Sequence, residues 1–484
     1  MSLPPAPMAA LHQLRDGALR RLLVDHPVLT EIGERFTSAG FEVDLVGGSV
    51  RDAILGRRVE DLDFATDARP GQVIPLLSGW ADAVWDVGAR FGTVGAEVAG
   101  LRLEFTTYRS DRYDPDSRKP EVAYGGDLLS DLGRRDFTVN AMALRLSDGQ
   151  FVDPFDGLLD LALKRLRTPG PATDSFSDDP LRMLRAARFC SQLEMAVDAE
   201  AVDAMANMAE RIDVVSAERI RDELVKLLMS DTPRPGLQLL VDTGLCQRFL
   251  PEIPALALEI DEHHRHKDVY EHSLTVLEQA ITLETAHEPG IEPDFVLRFA
   301  ALMHDVGKPK TRRLEPGGGV SFHHHEVVGA KLTRKRMQAL RFDTKTIDEV
   351  CKLVELHLRF HGYGSGEWTD AAVRRYARDA GDQLVRLHKL TRADSTTRNR
   401  RKAAALQRTY DHLEARIAEL EQAEELAAVR PDLDGNQIMA ILGIGPGRDV
   451  GRAYNFLLEL RMERGPMSAE DATAALQAWW AEQG

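Results

Sequence analysis

Cysteine is scarce: Cys190, Cys246 and Cys351 are the only three in 484 residues, and they lie far apart with no paired spacing. That excludes a disulfide framework and a thiolate zinc site, and makes a reducing cytoplasm the expected compartment. No uncharged apolar run approaches the roughly 20 residues that a membrane span requires. The opening MSLPPAPMAALHQLRDG has prolines where a signal peptide carries its apolar core, so no membrane partner is expected. Positive charge is also short, with 61 Lys and Arg against 77 Asp and Glu, a net charge of −16. That balance excludes a protein that coats nucleic acid non-specifically, since such binding displaces counterions from phosphates with a basic surface. Arginine is nonetheless concentrated in GRRDFTVNAMALR, LRMLRAARF, ERIRDELVK and TTRNRRKAA. A negative whole can carry local positive patches, although solvated helix faces are the plainer account of each one.

What is present suffices for roughly three domains with buried cores. From about residue 30 to 160, β-like runs (FEVDLVGG, DLDFAT, TVGAEVAGLRLEFTTYR) alternate with Gly and Pro turns. Beyond that the pattern is helical almost throughout, broken at TPGPATDSF, PEIPAL, EPGGGVSFHH and GYGSGEWTD. The fold expected is α+β. It divides into an N-terminal extension (1–30), a mixed head (31–160) and three helical regions (161–250, 251–400 and 401–484).

The stretch LVGGSVRDAILGRRVEDLDFAT carries the first chemistry. EVDLVGGS reads as a strand ending at Gly47 and Gly48, and SVRDAILG as a helix beginning near Ser49, so backbone amides face outward at a helix N-terminus, a phosphate-binding geometry. Asp61 and Asp63, at i and i+2 on a strand, point to one face, where they can hold Mg²⁺ bridging a triphosphate and an attacking hydroxyl. Glu104, flanked by Leu103 and Phe105 in LRLEFTTYR, is a candidate third acid. A Gly-Gly turn alone is weak evidence, and a lone Glu104 reads as an edge-strand charge. The combination of GGS with DLD is far more specific.

LVGGSVRDAILGRRVEDLDFAT, EFTTYR, DLGRRDFTVNAMAL and DDPLRMLRAARF resemble, in order, the motifs of the class II tRNA nucleotidyltransferases, the CCA-adding enzymes, whose polymerase beta-like head is shared with bacterial poly(A) polymerases. The resemblance covers roughly residues 40 to 230. It implies transfer of nucleotides from CTP and ATP to a tRNA 3′ end, with no DNA partner. By that likeness Gly47, Gly48 and Ser49 contact the triphosphate, Asp61 and Asp63 bind metal, and Arg51, Arg109, Arg135, Asp136, Asn140 and Arg185 line the nucleotide site. Locally, Asp179 and Pro180 read as an N-cap and first helical residue. The resemblance gives Asp179 and Arg182, three apart, a further role as a side-chain template: a carboxylate acceptor beside a guanidinium donor matches the Watson-Crick edges of C and A and refuses U and G. Family members often have Glu where this chain has Asp178. The helix AERIRDELVKLL, with Glu218, Arg219, Arg221, Asp222 and Glu223 around an apolar face of Ile220, Leu224 and Leu227, reads as structural support.

In the second half, DVYEHSLTVL supplies His272, LMHDVGKPKT supplies His304 and Asp305, HHHEVVGAK supplies His325, ELHLRFH supplies His357 and TRADSTTRN supplies Asp394. A lone helical histidine is usually packed or solvated. A His, a His-Asp dipeptide and a distant Asp on successive helices resemble the HD-domain metal-dependent phosphohydrolases. Imidazole with carboxylate suits Mg²⁺, Mn²⁺, Ni²⁺, Co²⁺ or Fe²⁺, Lys308 lies near enough in sequence to meet a phosphate, and His325 with His357 forms a candidate second position. Near the C-terminus, GIGPGRDVG sits between two helical patterns. Its glycines permit a tight turn whose amides, with Arg448 and Arg452, can meet an RNA phosphate; a packing element is equally consistent, and the segment also resembles the C-terminal part of bacterial CCA-adding enzymes. The competing functions are a poly(A) polymerase, a CC-only or A-only enzyme whose difference lies in a head loop such as RSDRYDPDSRKPEVAYGG, and a phosphohydrolase with a degenerate head.

Overall fold

A computed structural model of the chain describes residues 5–86, 88, 92–112, 121–124, 126–258, 269–286, 292–316, 319–360, 368–396, 400–424 and 430–483. It forms two compact units, 1–248 and 249–484. Among the described residues no helix is long and apolar enough to cross a membrane.

The first unit is built on a seven-stranded sheet. Its strands are β1 (Val43–Val46), β2 (Asp61–Thr66), β3 (Ala83–Trp85), β4 (Thr93–Val98) and β5 (Leu101–Thr107), followed, after a separate hairpin of β6 (Arg109–Arg112) and β7 (Glu121–Tyr124), by β8 (Ala143–Arg145) and β9 (Phe151–Val152). The order is β3-β4-β5-β2-β1-β8-β9, with β2 and β5 parallel and the other neighbours antiparallel. Strand side chains alternate between faces. Leu62 and Phe64 of β2 and Leu103 and Phe105 of β5 are buried on one face. There Phe105 stacks on Phe64 and on Phe36 of a helix whose buried stripe is Val28, Leu29, Ile32 and Phe36. The same alternation leaves Asp61, Asp63, Arg102 and Glu104 on the other face.

Three helices frame this sheet at its N-terminal end: α1 (Pro5–Asp25), α2 (Val28–Ser38) and α3 (Gly48–Ile54). The extension expected over residues 1–30 is largely helical: Pro5 and Pro7 fall in the first turn of α1, where they break no helical hydrogen bond, Pro27 caps α2, and α1 packs against α3. The region beyond 160 is helical as the pattern requires, apart from two small ladders, Arg165–Leu166 with Ala196–Val197 and Arg313–Leu314 with Val320–Ser321. These pairs are too short to show a period in the sequence.

The second unit is a helical assembly. The helix Phe295–Met303 is buried from Val296 to its end, and Arg298 within it is held by Glu284 in a fully buried ion pair. The helices Gly435–Leu442, Arg448–Arg464 and Ala469–Ala481 share a small core of Leu433, Ile438, Ala453, Leu457, Ala472 and Leu476. The charged helix expected around residues 400–430 spans Arg400–Glu424.

Among the described glycines of this unit Gly307 is the most tightly surrounded: a Cβ there would lie 2.0 Å from the His325 carbonyl oxygen and 2.7 Å from the Gly329 amide. Gly307→Ala is expected to destabilise the protein by about 1–3 kcal/mol through overpacking. Gly319→Ala, with nothing within 4 Å of the new methyl, should leave the chemical denaturation midpoint where it is, and equal midpoints for the two variants would contradict this.

Candidate active site and metal centre

The Gly-Gly turn ends β1 and starts α3. Gly47 has φ 73° and ψ −131° and donates to the Met142 carbonyl at 3.2 Å. A side chain there would be strained, and its Cβ would lie 2.8 Å from an Arg135 guanidinium nitrogen, so glycine is required both for the turn and for the arginine lying over it. Ser49 is 4% exposed. Its hydroxyl donates to the Asp61 carbonyl at 2.9 Å and accepts from the Asp63 amide at 3.3 Å, so it fixes the start of β2 to the turn.

The parallel register pairs Asp63 with Glu104 and Asp61 with Arg102, which brings the three acids to one patch of the open face. Burial raises the Asp63 pKa, the Glu104 carboxylate raises it further, and Arg135 outweighs neither. Carboxylates that repel in this way define a site for a cation between them.

A second set of residues converges behind the turn. Arg51 donates to the Asn140 carboxamide oxygen, Asn140 donates to Asp136 at 2.9 Å, and Arg185 donates to the other Asp136 oxygen at 2.7 Å. Arg185 also lies 3.7 Å from Glu223, which accepts from Arg188 at 2.6 Å. Burial by itself would raise the Asp136 pKa. The charge of Arg185 and the hydrogen bonds from Asn140, Arg185 and the Phe137 amide reverse that and hold it at about 2.

The Arg182 amide donates to the Asp179 carbonyl at 3.0 Å, but their side chains take different partners. Asp179 accepts from the Leu181 amide at 3.1 Å and from Arg219 at 2.8 Å. Arg182 donates to the Ser175 hydroxyl at 2.8 Å and to the Arg134 carbonyl. Helix Leu181–Gln192 begins one residue later than the local pattern indicates, with Pro180 as its N-cap. Arg109 stands in β6, whose side chains, like residues 113–120 of the candidate specificity loop, lie outside the described residues. Sequence reading missed Arg134, Ser175, Arg219 and Glu223. For Arg219 and Glu223 the signal was present as charges on AERIRDELVKLL, but their partners are about 35–40 residues away.

In the second unit, the helix Phe295–Met303 ends at His304, as adjacent His and Asp ligands require. Two trios have ligand atoms within 4.8 Å of one another, His272 with His304 and Asp394, and Asp305 with His325 and His357. Asp305 joins them: one oxygen lies 3.2 Å from His304 Nε2 and the other 3.2 Å from His325 Nε2. Nδ1 of His304, His325 and His357 each meets a backbone carbonyl three residues back, at 2.8, 2.8 and 2.6 Å. A carbonyl only accepts, so Nδ1 carries the proton. The three Nε2 atoms are buried and make no hydrogen bond of acceptable geometry. Imidazoles oriented by a second partner, with lone pairs converging on carboxylates, fit a metal. Burial pushes His357 down to about 3, helped by His304, so it is a neutral donor. Burial opposes protonation of His304 too, but Asp305 and Asp394 outweigh it and raise its pKa to about 10. The cluster's field demands positive charge. Lys308 lies 2.9 Å from Asp305, and Thr396 reaches His272 Nδ1 at 3.3 Å, a contact the sequence did not signal.

Residues 43–167 match the poly A polymerase head domain, 194–256 the probable RNA and SrmB- binding site of polymerase A, and 269–399 the HD domain. The A-adding tRNA nucleotidyltransferase of Deinococcus radiodurans is 33% identical over 445 residues, covering 90% of this chain and 95% of that protein. The chain belongs to the tRNA nucleotidyltransferase family. CCA-adding enzymes of Lactobacillus johnsonii and Levilactobacillus brevis are 40% and 42% identical over 222 residues, and this chain spans about half their length, 54% in each case. The fold is that of the Bacillus stearothermophilus CCA-adding enzyme solved with CTP (TM-score 0.64, 23% identity, 94% of this chain and 97% of that one). The Thermotoga maritima CCA-adding enzyme solved with tRNA has the same fold (TM-score 0.59, 17% identity, 96% and 98%).

Asp136 supplies a pH test. Its folded pKa of about 2 lies below the ordinary 3.8, so its contribution is complete above pH ~4 and is lost as pH falls to ~2, a change of about 2 kcal/mol. The stability difference between wild type and Asp136→Asn, read from urea denaturation, should shrink by that amount across the interval. A difference independent of pH would overturn the assignment.

Proposed function

We propose that the chain adds CCA to tRNA 3′ ends from CTP and ATP. The observation that carries this reading is the Asp61, Asp63 and Glu104 patch beside the Gly47 turn, on the open face of the sheet. Mg²⁺ held by those acids would stabilise charge on the α-phosphate and favour ionisation of the attacking hydroxyl. The RNA 3′ oxygen bonds to the α-phosphorus as the bond to pyrophosphate breaks, and the hydroxyl proton passes to solvent. Amides of the Gly47–Gly48 turn hold the triphosphate, with Arg135 above them, while Ser49 keeps β2 in place. Arg51, Asp136, Asn140 and Arg185 form the wall of the pocket, and Arg109 belongs to the same site by family likeness. Asp179 and Arg182, anchored separately by Arg219 and by Ser175, present an acceptor and a donor to the incoming base. Asp63→Ala is expected to lower addition at least 10³-fold while tRNA binding stays within about twofold, in line with losses on removing charge-stabilising groups. Retained turnover would remove the acids from the mechanism.

A-only addition is the second reading, favoured by one observation. The relative matched over 90% of the chain is A-adding, whereas the CCA-adding relatives align over 46% of it. tRNA lacking its last one, two or three nucleotides, offered each labelled NTP separately, decides between them: incorporation of C supports CCA addition, and A alone on a CC end supports the other. The open turn around Gly445 and Gly447, with Arg448 and Arg452 after it, supports tRNA contact by the C-terminal helices.

We infer a second activity for the HD region, hydrolysis of a phosphoester such as a 2′,3′-cyclic phosphate or a 2′-nucleotide. His272, His304, Asp305 and Asp394 would hold Mn²⁺, Ni²⁺ or Co²⁺, and His325 and His357, with Asp305 between the two trios, a second ion. Such an ion supplies Lewis-acid activation of water. The chain's own part is to orient three imidazoles through backbone carbonyls and to set Lys308 beside Asp305. His304→Ala combined with Asp305→Ala should abolish bound metal and hydrolysis and spare nucleotide addition. Wild-type protein that binds none of these ions and cleaves neither ester would leave the region as a helical scaffold.

A further inference from the structure

The head contains a cavity of about 790 Å³ that the reading above does not use. It is bounded by α1, the C-terminal end of α3, the loop Gly56–Glu60, the first residue of β2 and the β4–β5 turn. Its size falls within the range of sites that enclose a ligand, about 300–1,000 Å³. Asp61 lines it. Gly47, Ser49 and Asp63 do not. The cavity therefore lies on the flank of Asp61 away from the phosphate-binding turn.

Four arginines line it, Arg21, Arg57, Arg58 and Arg102. Arg57 donates to the Gln192 carbonyl at 3.0 Å, and Arg58 lies 3.3 Å from Glu60. Arg21 on α1 and Arg102 on β5 make no ion pair or side-chain hydrogen bond among the described residues. Arg102 is the register partner of Asp61 in the parallel β2–β5 pair, so the two side chains leave the same face one strand spacing apart, about 4.8 Å. Acids line the cavity as well, and Glu97 pairs in register with Arg102 across β4–β5. The site thus offers discrete guanidiniums more than a broad positive field, and a planar guanidinium donates two parallel hydrogen bonds to a phosphate.

Displacement at an α-phosphate brings the nucleophile in opposite the leaving pyrophosphate. With pyrophosphate at the Gly47 turn, the acceptor strand approaches from the other flank of Asp61, and the cavity is that flank. We propose that it seats the last nucleotides of the RNA acceptor strand, with Arg21 and Arg102 bound to the phosphates immediately 5′ of the reacting hydroxyl. This rests on the nucleotide-addition reading, and it makes α1 part of the RNA site.

The test is the double variant Arg21→Gln/Arg102→Gln in the full chain, with tRNA lacking its terminal A as probe. The Kd and KM for tRNA should rise roughly tenfold, and the slope of log K against log salt should shallow by about 1.5, the value for two phosphate contacts. The KM for ATP and the kcat at saturating tRNA should not change. Arg21→Lys/Arg102→Lys should recover the salt slope, which a misfolded head would not. An unchanged Kd and slope, or a raised KM for ATP with unchanged tRNA binding, overturns the assignment; the second result would give the cavity to a nucleotide. Wild-type protein that transfers no nucleotide removes the addition reading and this assignment with it. Wild type that transfers while the double variant is indistinguishable from it removes the cavity assignment alone.

Discussion

The buried carboxylate of Asp136 is the constraint on which the head depends. Taking a charge out of water costs several kcal/mol unless partners surround it, and here the Phe137 amide, Asn140 and Arg185 surround it from three directions. Each partner commits another element. Asn140 holds Arg51 on the helix that follows the Gly-Gly turn, and Arg185 reaches toward Glu223 on helix Ala217–Leu228, which in turn holds Arg188. Releasing one member leaves another buried and unpaired, so the turn, the segment 136–140 and two helices of the following region hold their positions together. Thr138 adds a tether within that segment by donating to the fully buried Asp160, which also receives Arg165.

The histidine cluster is organised on the opposite principle. The head network closes on itself, every charge answered by a protein group. In the second unit the protein answers only the outer nitrogen of three rings, through carbonyls one helical turn back, and leaves the inner nitrogens facing carboxylates. Asp305, reached by groups of both trios, has two lone-pair-bearing oxygens turned to different sides. A closed network gives a rigid wall; an open one gives a site for an ion.

Local patterns in the sequence carried much of this. GGS before an apolar helix, DLD at the strand period, Glu104 between two buried residues and a His-Asp pair at a helix end each constrain geometry within a few residues, and the structure places them in that geometry. Long-range pairing was illegible. Nothing near Glu223 or Arg219 names Arg188 or Asp179 as a partner, so the helix read as support without showing which side chains it supports. Asp179 and Arg182 sit three apart as the sequence indicates, yet the bonds that hold their side chains come from Arg219, Ser175 and Arg134. The helix α1 was hidden by prolines near its start, which a first turn tolerates.

The arginine-rich stretches show why composition misleads at a charged site. Arg134 and Arg135 are both paired with Asp131, Arg165 and Arg167 with Asp160, Arg185 and Arg188 with Asp136 and Glu223, and Arg219 with Asp179. Guanidiniums that look in sequence like a surface for RNA are mostly paired with acids of the protein itself. A chain of net charge −16 built this way gains little from counterion release, which scales with the number of phosphates neutralised. Any hold on a polyanion then rests on the few guanidiniums without an internal acid among the described residues. Weak general attraction and strict local geometry are the consequence of that arrangement.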